Sequence, residues 1–474
     1  MIAQSPRSVH IVGVGGSALS GLARILSARG VEVTGSDGEE SAILQALRGK
    51  GFHIAAGHRA ENLPGAAEAV VYSAAVPEDN PELKEARRRG LPTRCYADFL
   101  GQLLMEKRAI AVAGTHGKTS TVGMLASIFL AAGRDPSVLM GGYHPGLQSN
   151  CRAGAEQEFL VEACEFNRSF LAFHPWAGIV TNIELDHPDV YPDESTLAAA
   201  FGDFLKGFRP TAEGLAPFVV INPERTALLD GRVPAHVRCV RFGESAECEW
   251  RLRDVVLGPR PSFTALRHGV PWARLELRVA GRHNVLNALA AVALCGELEA
   301  SLDLGLTADA VRAGLLEFPG VERRFTHRGH CRGVDLIDDY AHHPTEVACT
   351  LAAAREVYPG RRVWAVFQAH QFGRLQAYFA GFGAALGAAD EVLLLPVYSV
   401  RECAENFAEL ELLERLRDTL VAGGGRARLA SSLSGAEIEL SAQLRAGDVC
   451  VVLGAGDAFR LTAALRQRLE TATG

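Results

Sequence analysis

Short apolar runs alternate with longer stretches of helical period along the whole chain. Val9-His10-Ile11-Val12, Ala69-Val70-Val71-Tyr72, Ala109-Ile110-Ala111-Val112, Ala177-Gly178-Ile179-Val180, Val363-Trp364-Ala365-Val366 and Val449-Cys450-Val451-Val452-Leu453 are the clearest. Continuous apolar runs of this length fit strands buried on both faces, and therefore parallel sheets with helices on each side. The pattern predicts an α/β fold. A charged break at Met105-Glu106-Lys107-Arg108 and a turn signal at Phe318-Pro319-Gly320 divide the chain into three blocks, 1–106, 107–318 and 319–474. Between Pro210 and Arg278 the strand runs lose regularity and the helical pattern is weak.

Composition narrows the class without changing the fold. The chain is 48% hydrophobic and 22% charged, with a net charge of −7 and no block of like charge. The cluster Arg87-Arg88-Arg89 is explained by a helix face or turn, so no nucleic-acid partner is expected. The opening MIAQSPRSVHIVGVGG has no apolar core of signal-peptide length, and no window approaches the roughly 18 uninterrupted apolar residues of a membrane span. Ten scattered cysteines without a CxxC pair read as reduced thiols. A soluble, cytoplasmic enzyme or binding protein without membrane insertion is expected.

Two glycine loops carry candidate chemistry. Val9–Val12 leads into Gly13-Val14-Gly15-Gly16-Ser17-Ala18-Leu19-Ser20-Gly21, and Gly35-Ser36-Asp37 follows at the end of the next strand. A strand–turn–helix of this kind gathers backbone N–H groups and the positive helix end where a diphosphate can sit, with Asp37 at the ribose-binding position. A nicotinamide dehydrogenase is the obvious reading, but Ala18 replaces the third fingerprint glycine. The second loop, Gly114-Thr115-His116-Gly117-Lys118-Thr119-Ser120, is a short phosphate-binding form; Val112 stands where the longer form has its first glycine. Its lysine supplies a point charge for ATP phosphates, its glycines let N–H groups wrap them, and Thr119 can hold Mg²⁺. A dehydrogenase needs no second phosphate loop.

Three further clusters end strands or open helices. Glu162 and Glu165 in one, and Glu184, Asp186 and His187 in another, suit Mg²⁺; the plainer reading of Glu162 and Asp186 is helix capping. Gly281-Arg282-His283-Asn284-Val285-Leu286-Asn287 fits capping and packing better than binding. Asp338-Asp339-Tyr340-Ala341-His342-His343 packs two acids, a phenol and two imidazoles together; a polar substrate pocket fits it better than zinc, because no Cys/His pair at the usual spacing follows.

The ordered series HIVGVGGSALSGLA, GSD, VVYSAAVPEDNPEL, AVAGTHGKTST, VEACEFNRSFL, IVTNIELDHPDVY, GRHNVLNALAA, FPGVERRF, DDYAHHPTEV and VLGAGD resembles the Mur ligases of peptidoglycan synthesis nearly end to end. The resemblance implies three domains: a UDP-sugar-binding Rossmann-like domain, a central P-loop-type ATPase and a Rossmann-like C-terminal domain. It implies ATP-dependent ligation of L-alanine to the lactoyl carboxylate of UDP-N-acetylmuramate. It places Gly13, Gly15, Gly16, Ser17, Asp37 and Ser73 on UDP. Gly114 to Ser120 would hold the ATP phosphates, His283, Asn284 and Asn287 the adenine, and Arg324 and Asp339 would reach ATP from the C-terminal block. Thr119, Glu162 and His187 would hold Mg²⁺; Tyr340, His342, His370 and Arg374 would line the amino-acid pocket. Lys118, His342 and Arg374 are the expected catalytic set, with His342 as base on the strength of an ordinary imidazole pKa near 6.5. Two departures stand out: Gly202 occupies the place of a carbamylated lysine seen in some relatives, and Gln368-Ala369-His370-Gln371 replaces Gln-Pro-His-Arg. The alternatives are a family member that takes a tripeptide as acceptor and a non-catalytic nucleotide-binding regulator.

Overall fold

The computed structural model describes residues 6–399 and 409–471, so the first five residues of the N-terminal reading lie outside it. Three sheets follow one another along the chain. The first has five parallel strands in the order His53–Ala56, Glu32–Asp37, Ser8–Val12, Ala69–Tyr72, Thr93–Cys95. Ser8–Val12 lies at the centre and is fully buried. The chain leaves it to one side and returns on the other, so the crevice between its end and that of Ala69–Tyr72 is the switch point where such sheets bind ligands. The first glycine loop and Ser73 stand there.

The second sheet has ten strands, with Arg108–Ala113 between Ala177–Val180 and Glu158–Glu162. These three are parallel, and their carboxyl ends carry the second glycine loop, the Thr181–His187 segment and Glu162. Helices Lys118–Ala131, Arg282–Leu302 and Ala308–Glu317 bury one face; Glu194–Lys206 and Tyr96–Leu104 bury the other. Among the described residues, Arg282–Leu302 is the one helix long and apolar enough to cross a membrane, and it is a core helix, buried from Asn284 to Leu298. The irregular stretch from Pro210 to Arg278 resolves into strands that extend the sheet: Trp250–Val256, Ser262–Arg267 and Val270–Glu276 run antiparallel at its edge. Helix Ser17–Ala28 of the first unit packs on the hairpin Ser137–His144 and Ser149–Arg152 at the other edge. Arg24 reaches Ser149 and Asn150 at 3.0 and 3.1 Å.

The third sheet has six strands, parallel except for Thr326–Cys331. Its strand Val334–Asp339 and helix Pro344–Val357 face the second unit. The connector leading into it is strained. Gly320, Arg323 and Phe325 all have φ between 49 and 93°, a region costly for a bulky side chain. Asp339 pins the turn by accepting N–H from Phe325 at 2.7 Å and from Ala341 at 2.8 Å.

Candidate active site

The second glycine loop is shaped by what surrounds it. Gly114 (φ 127°) and Gly117 (φ 84°) are left-handed, and a Cβ would stand 2.2 Å from Thr181 Oγ1 at the first and 2.6 Å from Asn287 Oδ1 at the second. Thr181 donates to the His116 carbonyl at 2.6 Å, and Asn182 accepts the His116 N–H at 2.9 Å. Helix Lys118–Ala131 begins at Gly117 with no side-chain cap, so its first N–H groups point into the loop, as an anion site requires. Lys118 is buried. Its ammonium donates to the Gly114 carbonyl, to Thr115 O at 3.1 Å and to Glu165 at 2.8 Å. Burial opposes its charge, but Glu165 outweighs burial and keeps it protonated well above neutral pH.

Two oxygen donors stand beside the loop. Thr119 Oγ1 donates to Glu162 Oε2 at 2.9 Å, and the Gly141 N–H donates to the same oxygen at 2.7 Å. His187, in a left-handed conformation (φ 56°), holds Nε2 at 4.0 Å from Glu165 and 3.7 Å from Asp186. A hydroxyl and a carboxylate in contact beside a phosphate loop fit a hard cation such as Mg²⁺; the imidazole with Glu165 offers a second position. The capping reading fails for both acids, because Glu162 binds Thr119 and Gly141 while Asp186 binds Arg374. At position 202 the glycine faces Arg232.

A cavity of about 300 Å³ lies against the loop. His116, Gly117, Thr119 and Ser120 form its floor, and His283, Asn284 and Asn287 one wall. Arg324 and Asp339 of the third unit close it. The helix-opening segment that sequence favours as capping and packing therefore does both: Asn284 donates to Ala280 O at 2.7 Å and still faces the cavity. Gly114, Thr115 and Lys118 lie outside the lining and support the loop from beneath. Sequence reading missed Asn182, Arg225 and Phe242 on the central side, and Glu346 and Cys349 on helix Pro344–Val357; Glu184, read there for Mg²⁺, lines the cavity. The signal for Glu346 was present in DDYAHHPTEV; Arg225 and Phe242 lay in the stretch whose pattern was weak.

Charge in this cavity is sorted by partner. Burial opposes protonation of His116, but Glu184 at 3.0 Å and Glu346 at 3.3 Å outweigh it and raise the pKa to about 9. The His116 ring also lies 4.8 Å from that of His343, which brings His116, Glu184 and His343 into one cluster. His283, buried and beside Arg324, falls to about 4. Asp339 rises to about 6 because burial outweighs the attraction of Arg324.

Tyr340, His342, His370 and Arg374 also come together. The His342 ring is 5.3 Å from Tyr340 and 6.1 Å from His370, and Arg374 Nη1 is 3.3 Å from His370 Nδ1. Arg374 crosses to the second unit, donating to Asp186 from Nε at 3.2 Å and from Nη2 at 3.0 Å. The environment of His342 bears on its expected role. Burial, with Arg374 nearby, pushes the His342 pKa down to about 4 against the attraction of Glu346 and Asp186. Burial therefore favours its uncharged form, which speaks against the role of base that an ordinary imidazole would have.

The first loop is built differently. Gly13 (φ 86°) would place a Cβ 2.9 Å from Ser73 Cβ. Helix Ser17–Ala28 begins at Gly16 with no side-chain cap. Asp37 accepts the Gly15 N–H at 2.8 Å and the Gly38 N–H at 2.8 Å, so its carboxylate shapes the turn. Ser17 donates to the Gly141 carbonyl at 2.7 Å. All six residues expected at the UDP site lie along this one crevice.

Comparison with known proteins decides the family. Three family models match in sequence: "Mur ligase family, catalytic domain" over residues 8–108, "Mur ligase middle domain" over 112–295, and "Mur ligase, glutamate ligase domain" over 323–456. The chain belongs to the Mur ligase family. Its Mur relatives include the UDP-N-acetylmuramate–L-alanine ligase of Kineococcus radiotolerans, 42% identical over 95% of this chain and 93% of that one. The enzyme of the same name from Renibacterium salmoninarum is 39% identical over 98% and 96%. Among solved structures, the UDP-N-acetylmuramate–alanine ligase of Thermotoga maritima superposes with TM-score 0.81 at 28% identity, covering 98% of this chain and all of the other. A murein peptide ligase from Psychrobacter arcticus shares the Mur fold, with TM-score 0.69 at 24% identity over 99% and 100%.

Proposed function

We propose that this chain joins L-alanine to the lactoyl carboxylate of UDP-N-acetylmuramate at the expense of ATP, in the cytoplasm, on the path to peptidoglycan. Relatives of that name cover nearly its whole length at 35–42% identity, and the observation that carries the reading is the composite cavity, floored by one glycine loop and closed by Arg324 and Asp339. The work divides among three segments: 1–106 for the UDP sugar, 107–318 for ATP, and 319–474 for closure and the acceptor.

A carboxylate does not condense with an amine unaided, because oxide is too poor a leaving group. The lactoyl carboxylate attacks the γ-phosphate, giving an acyl phosphate and ADP; the amine of L-alanine then adds to the acyl carbon and phosphate leaves. Lys118 and the uncapped helix start offset charge on the transferring phosphoryl group, the principal means of catalysis in such transfers. Thr119 and Glu162, with His187 at the second position, would hold Mg²⁺, which when bound would supply further charge neutralisation. Arg374, with two donors on Asp186, presents its remaining nitrogen toward His370 and an acceptor carboxylate.

The test is phosphate release with UDP-N-acetylmuramate, ATP and Mg²⁺, comparing L-alanine with an L-alanyl-headed tripeptide. Faster turnover with L-alanine is expected. Preference for the tripeptide would reassign the acceptor, and no ADP with any acceptor would leave a non-catalytic nucleotide binder.

A further inference from the structure

Glu346 opens helix Pro344–Val357 and is largely buried. Its Oε1 faces His116 Nδ1 at 3.3 Å and Arg324 Nη1 at 3.4 Å. Its Oε2 accepts the His342 backbone N–H at 3.1 Å and lies 3.2 Å from His342 Nδ1. Those partners come from the phosphate loop, the strained connector and the acceptor side. The plain alternative is a helix cap, since an acid in the first turn reaching back to a preceding N–H is a stabilising arrangement. A cap accounts for the His342 N–H alone. It does not account for His116 and Arg324, from separate segments, converging on the other oxygen.

We propose that Glu346 is a positioning residue that couples nucleotide to acceptor: one carboxylate aligns His116 of the phosphate loop, the ATP-facing Arg324 and the acceptor-side His342. The inference rests on the ligase reading above. Burial opposes the Glu346 charge, but His342, His116 and Arg324 overcome it, so it stays ionised. Around His116 the other facing groups are Glu184, which Thr345 also binds at 2.6 Å, and the His343 ring. Nucleotide contact with His116 or Arg324 thus sets the position of the acid that holds His342. Loss of the charge loosens both halves together.

Glu346→Gln keeps the shape and an acceptor for the His342 N–H while removing the charge. Expected are KM values for ATP and for L-alanine both raised about 10-fold, with kcat lowered, from the loss of charge-assisted hydrogen bonds. Thermal midpoint should change little. The His116 ring-proton titration followed by NMR should move down by about one pH unit, because one of two flanking carboxylates no longer holds its proton. The double variant Glu346→Gln/His116→Asn should lose less than the sum of its parts. A lower melting temperature with both KM values unchanged would reduce Glu346 to a cap, and a rise in the ATP constant alone would reduce it to a cavity wall; either overturns the proposal. If the wild type proves inert with L-alanine, the ligase reading falls instead. ADP affinity and the His116 titration then decide this inference, and no change in either for Glu346→Gln overturns it.

Discussion

The two glycine loops begin from one local plan and end in different chemistry. Each follows a buried parallel strand, turns through left-handed glycine at a switch point, and opens a helix with no side-chain cap. The first meets an acid: Asp37 accepts the Gly15 N–H at 2.8 Å. The second meets a buried ammonium, Lys118, and two carboxylate oxygens at 2.8–2.9 Å from its own side chains. A strand–turn–helix therefore specifies that a phosphate can be bound; the groups around it specify whether that phosphate is held or transferred.

Lys118→Ala tests that distinction with the largest expected effect. ADP formation should fall by about 10²–10³ or more, as for loss of a donor to a charged transition state, while UDP-sugar binding by calorimetry stays near wild type. Near-normal turnover would mean the second loop only binds.

Closure of the second loop by the third unit is next. Asp339 has a folded pKa of about 6, above its unfolded value near 3.9. Its neutral form stabilises the fold fully below the unfolded pKa, and that stabilisation is lost as pH rises through about 6. The stability difference between wild type and Asp339→Asn, from chemical denaturation, should shrink by about 2–3 kcal/mol between about pH 4 and 7. A difference flat with pH would place the carboxyl in water.

A symmetric pair of variants comes third. Gly117→Ala should weaken ADP binding by about 10-fold or more and spare the UDP sugar, and Gly13→Ala should do the reverse, because each forces a side chain into left-handed backbone against a neighbour. Calorimetry with each ligand would expose any cross-effect, which would break the claim that the loops act on separate ligands.

The smallest effect belongs to His342→Asn. It should raise KM for L-alanine a few-fold and leave the pH–rate profile between about pH 6 and 9 unchanged, since a group at about 4 does not titrate there. A lost acidic limb would restore His342 as the base.

The fold was legible where burial is two-sided. Runs such as Val449–Leu453 are buried throughout and announce their strands. The antiparallel edge was not legible, because Trp250–Val256 and Val270–Glu276 are only partly buried and mix Arg, Asp and Glu with apolar residues. In the site, the loops could be read because glycine is demanded by backbone geometry within a few residues. Glu346 could be read as a residue of DDYAHHPTEV but not as the partner of His116, which lies 230 residues away. The weakness of His342 as a base was equally hidden: it follows from burial and from Arg374, neither of which is written beside it.

The chain of contacts Ser17–Gly141–Glu162–Thr119 has one more consequence. Ser17 in the sugar-nucleotide loop donates to the Gly141 carbonyl, and Glu162, in contact with Thr119 of the ATP loop, accepts the Gly141 N–H. The separation between the carboxylate donor's anchor and the metal-side acid is thus gauged by the backbone of a single residue, Gly141. A Cβ at Gly141 would stand 3.1 Å from the Glu162 carboxylate, so added bulk there must push that carboxylate aside. Either loop can be reshaped only in step with the other.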